Sequence, residues 1–212
     1  MAWARLLEDD LKWREAELAS LKRIAIISSD SDVTHKATLR ASWALLYAHF
    51  EGFTKFWWDL LLDQVQQRNV SIGELDQKFK LLALEKPFSE LRGDLSSSSI
   101  WKFYAFHMPE LLKQTALFDQ DSRPNPNSNL WPNIFERECL KVGIVSEQLH
   151  EQRARIRTLV SRRNDIAHGK IMTINSIKEY TEYENAVMLV LHELAVSILD
   201  ILEKEKYTAI SM

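Results

Sequence analysis

The chain has few residues that interrupt helices, since its 212 residues include only five glycines and five prolines. All five prolines lie between Pro87 and Pro132, so the first 86 and the last 80 residues contain none. Proline clashes with the preceding turn inside a helix, and its absence from both ends permits long uninterrupted helices there. No run with alternating polar and apolar residues has the length of a β-strand. The sequence therefore predicts an all-α fold.

Cysteine and long hydrophobic runs are also scarce. A single cysteine, Cys139, excludes an internal disulfide framework and is typical of a reducing compartment. No uninterrupted run of about 18 apolar residues occurs, so we expect no membrane-spanning segment. The N-terminal residues become acidic at Glu8, too early for a secretory signal peptide. We expect a cytoplasmic protein that does not contact a membrane.

Charge is unevenly distributed along the chain. The formal net charge is −3 at pH 7, which argues against a wholesale nucleic-acid binder. Between Glu151 and Lys170, however, cations predominate, and we refer to these cations as the basic strip. Its six members are Arg153, Arg155, Arg157, Arg162, Arg163 and Lys170. Such a strip is typical of phosphate contacts, but a solvated helix face paired with acidic neighbours has the same composition.

Helical periodicity predicts a first helix from about Trp3 to Ile27 and a second from about Val33 to Arg68. The second helix is the most aromatic part of the chain, with rings at intervals of three and four residues. These rings belong to Trp43, Tyr47, Phe50, Phe53, Phe56, Trp57 and Trp58. Aromatic residues at this spacing are usually buried, so we expect a core or a dimer interface rather than a platform for stacking bases.

The middle of the chain is less regular. The pattern Ser71-x-x-Glu74 predicts a capping box that opens a third helix ending near Glu85. From Lys86 to Pro132, prolines, a glycine and a run of serines predict an irregular insertion. A helix from Ile100 to Phe118, interrupted near its internal proline, is expected within it. We predict one domain over residues 1–212, with residues 86–132 as the insertion.

The C-terminal part returns to regular helices. A short helix is expected from about Asn133 to Val142, and Ser146 then caps a long helix that ends near Ala167. A second capping box, Ser176-x-x-Glu179, opens a last amphipathic helix. The long helix after Ser146 contains the most informative segment of the chain, Arg163-Asn164-Asp165-Ile166-Ala167-His168.

On a regular helix, Arg163 falls inside the apolar stripe formed by Leu149, Ile156 and Val160. An unpaired guanidinium in such a position is costly to desolvate, so we expect it to contact a carboxylate, a helix C-terminus or a ligand phosphate. Arg162 points nearly the opposite way, which predicts an ordinary surface residue.

Arg163 and His168 lie about 140° apart on a regular helix, so one straight helix does not direct both at the same atom. Either Gly169 lets the last turn unwind, or a two-fold dimer brings two copies of the segment together. A non-catalytic alternative is that Arg163 pairs with a buried acid while His168 interacts with the negative end of the helix dipole. Asn164 and His168 share one flank and can touch.

This hexapeptide resembles the R-x4-H signature, in its Arg-Asn-x-x-Ala-His form, of the HEPN family of small helical proteins. Many members of that family are metal-independent ribonucleases that act as toxins or in antiviral defence. Their paired motifs form one composite cleft at a dimer interface. The resemblance implies a HEPN-like bundle of long antiparallel helices, and a homodimer that cleaves RNA through attack of a ribose 2′-OH on the adjacent phosphate.

The resemblance also implies a role for each residue. His168 would act as general acid or base, because histidine titrates near neutral pH. Arg163 would neutralise charge on the phosphoryl oxygens, and Asn164 would orient His168 or bind a phosphate. The scheme requires no metal and no other cofactor. The expected substrate-binding residues are Arg157, Arg162 and Lys170.

A second segment supports the resemblance. The stretch from Tyr47 to Lys55 and the N-terminal Leu11-Lys12-Trp13-Arg14 look like the corresponding segments of one bacterial HEPN subfamily. Gly52 in mid-helix predicts close packing of another backbone. Glu51 is a candidate partner for Arg163 or a catalytic histidine, and His49 is a candidate second imidazole, although both types of residue are more often part of a core or surface.

One departure concerns regulation. Toxins of this family that are silenced by a nucleotidyltransferase typically have a tyrosine two residues after the histidine, where this chain has Lys170. Control by that route is not expected here. The expected partners are a second copy of the chain, RNA, and an antitoxin or regulatory protein. The alternative function is a non-catalytic HEPN-like module that binds RNA, a nucleotide or a protein.

Overall fold

A computed structural model of the chain describes residues 2–28, 33–119, 122–123, 129–171, 174 and 176–209. In these ranges the regular secondary structure is helical, and the only β-type pairings are two isolated bridges, Ser71 with Thr115 and Leu75 with Thr208. The prediction of an all-α fold is confirmed. The prediction that Ser28 to Asp32 separates the first two helices falls largely outside the described residues, since 29–32 are not among them.

Four long helices form the body of the fold. They are α1 (Ala2–Ile27), α2 (Val33–Gln67), α8 (Glu147–Ala167) and α9 (Ile177–Glu203). Helix α1 packs on α2 and α9, while α2 and α8 each pack on α9 as well as on one another. Contacts from Arg14 to His49 and from Ala25 to His35 make α1 and α2 antiparallel. The expected long antiparallel helices are therefore present.

Shorter helices fill the middle of the chain. The segments are a 3-10 turn (Ile72–Glu74), α3 (Gln77–Ala83), α4 (Glu85–Leu91), α5 (Ser97–Lys102), a π-helical turn (Phe103–His107), α6 (Met108–Lys113) and α7 (Pro132–Lys141). Helix α7 packs on α3 and α8, and so connects this part of the chain to the motif helix.

The aromatic stripe of α2 is the centre of the hydrophobic core, as predicted. Trp43, Phe50, Phe53, Trp57 and Trp58 are completely inaccessible to solvent. Each ring removes a large apolar area from water, which stabilises the packing of α2 against its neighbours. With these faces buried, α2 offers no platform on which bases could stack.

Helix α9 has the length and composition of a membrane-spanning helix, with a mean hydropathy of 1.8 over its most apolar window. Half of that window is buried inside the bundle, against α2 and α8. A helix buried on several sides in a globular core needs the same apolar composition.

The third predicted helix is wrong in its start and its continuity. The Glu74 carboxylate accepts hydrogen bonds from the Ser71 backbone N–H and hydroxyl group, both at 2.7 Å, but this closes only a single 3-10 turn. Leu75 then takes an extended conformation and buries its side chain completely. Helix α3 begins later, capped by Asp76, whose side chain accepts from the Lys78 backbone N–H. Burial of Leu75 therefore overrides the local capping signal.

The helix predicted from Ile100 to Phe118 begins earlier and ends at Lys113. Its interruption is the π-helical turn immediately before Pro109, where the Met108 N–H donates to the Phe103 carbonyl. Proline has no N–H to donate to the preceding turn, and a widened turn accommodates that loss.

Candidate functional site

The start of the motif helix is held by α9 as well as by its own cap. The Ser146 hydroxyl accepts from the Leu149 backbone N–H at 3.0 Å. The Glu193 carboxylate of α9 accepts from the Ser146 hydroxyl and from the N–H groups of Glu147 and Gln148. The negative charge sits at the positive end of the α8 dipole and satisfies donors that lack partners within the helix. This arrangement fixes the position of α8 relative to α9.

The motif itself lies at the other end of α8, which closes in a Schellman turn. Gly169 has a φ of +71°, and its N–H donates to the Ile166 carbonyl at 3.1 Å. The Lys170 N–H donates to the Asp165 carbonyl at 2.9 Å, and its ammonium group is 2.8 Å from the Asp165 carboxylate. Glycine adopts this left-handed conformation without strain. Gly169 and Lys170 thus both terminate the helix, and the charge of Lys170, predicted to bind substrate, is paired with Asp165.

Arg163 is only half-buried, and it meets neutral partners instead of an anion. Its guanidinium carbon lies 4.6 Å from the centre of the Tyr47 ring. Its Nη1 donates to the side-chain oxygens of Asn129 at 3.1 Å and Asn164 at 3.2 Å. The expectation of a carboxylate or a helix C-terminus is wrong among the described residues, because an aromatic face and two amide oxygens stabilise the cation. The guanidinium keeps donors that no described residue occupies and that are available to an anion.

Tyr47 is held firmly beneath Arg163. Its hydroxyl oxygen accepts from the Leu130 N–H at 2.9 Å. Burial raises the pKa of the Tyr47 phenol, and the nearby negative charge of Glu51 adds to that increase, while the hydrogen bond from Leu130 and the charge of Arg163 oppose it. The phenol therefore remains neutral and keeps its hydrogen bond from Leu130. Glu51 supports Arg163 only indirectly through Tyr47, and its direct ion pair is with Lys55.

His168 is exposed and caps the C-terminus of α8 with its backbone N–H, which donates to the Asn164 carbonyl at 3.0 Å. Within the described part of the chain its imidazole forms no hydrogen bond or ion pair. Asn164 is linked to it through the backbone alone, because its side-chain oxygen faces Arg163. The imidazole is therefore accessible to a ligand.

Arg162 is not the surface residue that the helical wheel predicted, nor is it free to bind substrate. Its guanidinium forms an ion pair with Glu179 at 2.5 Å and lies 5.0 Å from the centre of the Trp43 ring. The bundle brings α9 over this side of α8, so a position that looked solvated is part of the α8–α9 contact. Arg162 therefore joins these two helices.

The rest of the basic strip is partly neutralised. Arg153 pairs with Glu136 at 2.9 Å, and Arg155 donates to the side chain of Gln152 at 2.9 Å. Arg157 is exposed and has no ion pair with any described residue. Of the three predicted substrate-binding residues, only Arg157 forms no ion pair with a described residue.

The second predicted segment forms a buried polar cluster between α1 and α2. Arg14 is 7% exposed and pairs with Asp10 at 2.7 Å, and its Nη1 is 3.3 Å from Nδ1 of His49. Nε2 of His49 is 3.0 Å from the Glu17 carboxylate, outside the angular range of a hydrogen bond. Burial lowers the pKa of His49, and the charge of Arg14 lowers it further. His49 is therefore a core residue in this chain and not a second exposed imidazole.

Gly52 lies at the contact between the two predicted segments, residues 11–14 and 47–55. A Cβ atom at this position would lie 3.0 Å from Nη1 of Arg14. The expectation of close backbone packing is therefore wrong, because the space belongs to a side chain. The guanidinium of Arg14 occupies the volume that any larger residue would need.

The sequence did not identify two residues of the site. Tyr47 was predicted to be a core aromatic residue, and it also supports the Arg163 cation. Asn129 belongs to the predicted insertion of residues 86–132, in which residues 120–121 and 124–128 are not described. Neither position has a local pattern that predicts a contact with Arg163, because the chain separations are large.

The site thus presents a half-buried cation and an exposed imidazole at the open end of α8. No group of three or more histidine, cysteine, aspartate or glutamate side chains suitable for a metal ion is found among the described residues. The available chemistry is proton transfer at the His168 imidazole and anion binding at the guanidinium of Arg163.

Comparison with known proteins gives one result. A family model described as HEPN_MAE_28990:/-like HEPN matches residues 3–207, a range that includes residues 86–132. No curated protein and no solved structure was found to match the chain.

Proposed function

The chain belongs to the family of MAE_28990-like HEPN domains, and on that premise we propose that it is a metal-independent endoribonuclease. The observation that carries the proposal is the state of the motif. His168 is exposed without a side-chain partner among the described residues, and Arg163 is held on the Tyr47 ring with donors to spare. Cleavage of a phosphodiester is accelerated by a group that transfers protons and by a fixed cation that stabilises the developing negative charge.

In the proposed reaction a ribose 2′-OH attacks the adjacent phosphorus atom, and the bond to the 5′-oxygen of the next nucleotide breaks. His168 removes the proton of the attacking hydroxyl or supplies one to the departing oxygen. Arg163 binds the non-bridging phosphoryl oxygens, on which negative charge increases. The side chain of Asn164 holds Arg163 in place and does not orient His168. The products are a 2′,3′-cyclic phosphate and a free 5′-hydroxyl.

The active form is proposed to be a homodimer with a composite site. Arg163 is directed toward Tyr47 of α2 and toward Asn129, whereas His168 is the exposed residue that caps the C-terminus of α8. On a regular helix the two side chains point about 140° apart, so we propose that the Arg163 of one protomer acts with the His168 of its partner. The same geometry favours a second candidate function if the chain is a monomer, namely a non-catalytic module that binds RNA, a nucleotide or a protein.

We further propose a toxin or phage-defence role in the cytoplasm, where an antitoxin or another regulatory protein would control an enzyme that attacks cellular RNA. This part of the proposal rests on the toxin and defence roles of many HEPN proteins, the family to which the chain belongs. Silencing by nucleotidylation of a tyrosine two residues after the histidine is not part of it, since Lys170 occupies that position.

The test is incubation of the purified chain with RNA in excess chelator. We expect cleavage that leaves 2′,3′-cyclic phosphate ends, and a loss of about 100-fold or more with His168→Ala. The control is Arg155→Ala, which removes a cation of the same helix on another face and should leave cleavage unchanged. Intact RNA, or cleavage that survives His168→Ala, would contradict the proposal.

A further inference from the structure

A polar cavity of about 500 Å³ lies beside α8, next to the loop that holds Arg163. It is lined by Trp131, Pro132, Asn133, Arg153, Arg157 and Ser161. Its volume falls in the range of small-molecule sites, and a nucleotide is a ligand of suitable size. Asn129, two residues before Trp131, is the residue that accepts a hydrogen bond from Arg163. The cavity is therefore a neighbour of the motif.

The cavity shares one face of α8 with the histidine of the motif. At 100° per residue, Arg157 and His168 differ by only about 20° around the helix, and Ser161 lies about 40° from Arg157. Their Cα atoms are separated by about 16 Å along the axis, a distance that a strand of several nucleotides can span. A ligand bound in the cavity can thus extend along this face to the imidazole.

Two cations supply the charge. Arg157 has no ion-pair partner among the described residues, so its charge is uncompensated. Among the described residues Arg153 is bound only by Glu136, in a pair whose two side chains are both more than 40% exposed. Exposed pairs of this kind are weak, and a phosphate can replace the carboxylate at small cost. Pro132 and Asn133 begin α7 at the cavity wall, so the positive end of that helix faces the same space.

Trp131 supplies an aromatic surface. It packs against the hydrophobic core but is not fully buried, and it has no aromatic partner among the described residues. Arginines beside an accessible ring are the combination by which proteins bind single-stranded nucleic acids, since the cations bind phosphates and the ring stacks on a base. A cavity for a purely anionic small molecule would have no need of the ring.

From this arrangement we propose a nucleotide subsite in which Trp131 stacks on a base of single-stranded RNA and Arg157, with Arg153, binds its phosphate. The inference rests on the proposed function in one respect, that the strand then continues to His168. The subsite would position RNA for cleavage and would extend the recognised length beyond the scissile phosphate. It would be present once in each protomer.

The test is binding of a fluorescently labelled, mixed-sequence RNA of about ten nucleotides, followed by anisotropy. The full chain carries His168→Ala so that the probe stays intact. We expect Trp131→Leu to weaken binding about tenfold or more, whereas Trp131→Phe retains most of the affinity. Arg157→Ala should weaken binding and reduce the slope of log affinity against log salt by about 0.7, the value for one phosphate contact on a single strand.

Two matched controls separate the subsite from general effects. Arg155→Ala removes the same charge about 160° away around α8, and Trp101→Leu removes an exposed tryptophan of α5. Both should bind the probe as the parent does. Equal losses for Arg155→Ala and Arg157→Ala, or for the two tryptophan variants, would overturn the inference. Circular dichroism verifies that Trp131→Leu is folded, and the comparison with Trp131→Phe remains informative if it is less stable.

The outcomes also distinguish this inference from the nuclease. If the chain with His168 intact binds RNA in the expected pattern but does not cleave it, the subsite stands and the nuclease proposal fails. If RNA is cleaved but Trp131→Leu and Arg157→Ala cleave it at the rate of their controls, the nuclease stands and the subsite fails.

Discussion

The guanidinium of Arg163 lies on the ring of Tyr47, with 4.6 Å between the guanidinium carbon and the ring centre. The pair joins α8 to α2 and replaces the anion that a half-buried arginine normally requires. A cation held by a ring and two amide oxygens keeps its charge available, because none of these partners is negative. The motif arginine is therefore positioned before any phosphate binds.

Tyr47 variants test this support. Tyr47→Phe keeps the ring, so we expect RNA cleavage within a few-fold of wild type, while Tyr47→Leu lowers the rate about tenfold through loss of the cation–π contact. Tyr47→Phe also leaves the Leu130 N–H unsatisfied, which costs about 1–3 kcal/mol of unfolding free energy. Cleavage rates and denaturant unfolding measure the two effects separately. Equal cleavage by both variants would show that the ring does not position Arg163.

Replacing Gly52 by alanine should change the free energy of unfolding in opposite directions depending on the residue at position 14. Alanine is favoured over glycine in a helix by about 1 kcal/mol, but here the new Cβ would press on Nη1 of Arg14 at 3.0 Å. We expect Gly52→Ala to destabilise the wild-type chain by about 1–3 kcal/mol, as overpacking does.

In a chain that carries Arg14→Leu, the obstacle to Gly52→Ala is absent and the helix preference of alanine remains. The same substitution should then stabilise the protein by up to about 1 kcal/mol. Chemical denaturation of the four chains of this double-mutant cycle is the measurement. Destabilisation of similar size in both backgrounds would mean that Arg14 is not what excludes a side chain at Gly52.

His49 makes stability depend on pH. Burial and the charge of Arg14 lower its pKa from the ordinary 6.5, while Glu17 and Asp10 oppose the shift. Between the folded and unfolded pKa values the unfolded chain binds more protons, so stability is full above about pH 6.5 and falls with acidification below it.

The measurement is the midpoint of thermal unfolding at pH values from 8 down to about 5. Below that pH carboxylates begin to titrate as well. His49→Gln should flatten the decline below pH 6.5, and His150→Gln, which removes an exposed imidazole, should retain it. A wild-type slope in the His49 variant would contradict the assignment.

The carboxylate of Glu193 tests how α8 is held. It accepts hydrogen bonds from the Ser146 hydroxyl and from the first backbone N–H groups of the helix. We expect Glu193→Gln to cost about 1–2 kcal/mol, since the charge at the helix N-terminus is lost. The control is Glu182→Gln, an exposed position that lies on α9 as Glu193 does. It should change stability by less than about 0.5 kcal/mol. Denaturant titration of both variants gives the comparison, and similar values would argue against capping by Glu193.

The sequence predicted the fold well where local rules decide. Ser146 and Ser176 begin their helices as expected, and the aromatic stripe of α2 is the core, because helical spacing directly reports a buried face. The local rule failed at Ser71, where burial of Leu75 ended the turn. A capping box closes one turn, but tertiary packing decides whether the helix continues.

The site was predictable only in part, because its contacts join distant segments. The spacing of Arg163 and His168 identified the motif, but the partners Tyr47 and Asn129 are far away in the chain. Arg162 is a second case in which a contact between distant segments was not predictable. A helical wheel places it on the surface, and only the position of α9 reveals its ion pair with Glu179.

The composite site is the central claim, and mixing two inactive variants tests it most directly. Arg163→Ala and His168→Ala chains, each inactive alone, are combined under conditions where protomers exchange. In a mixed dimer one site would combine an intact Arg163 with an intact His168, and the other site would lack both. Since about half of the dimers are mixed, we predict recovery to about a quarter of the wild-type cleavage rate. No recovery, in a mixture shown to contain mixed dimers, would contradict a site shared between protomers.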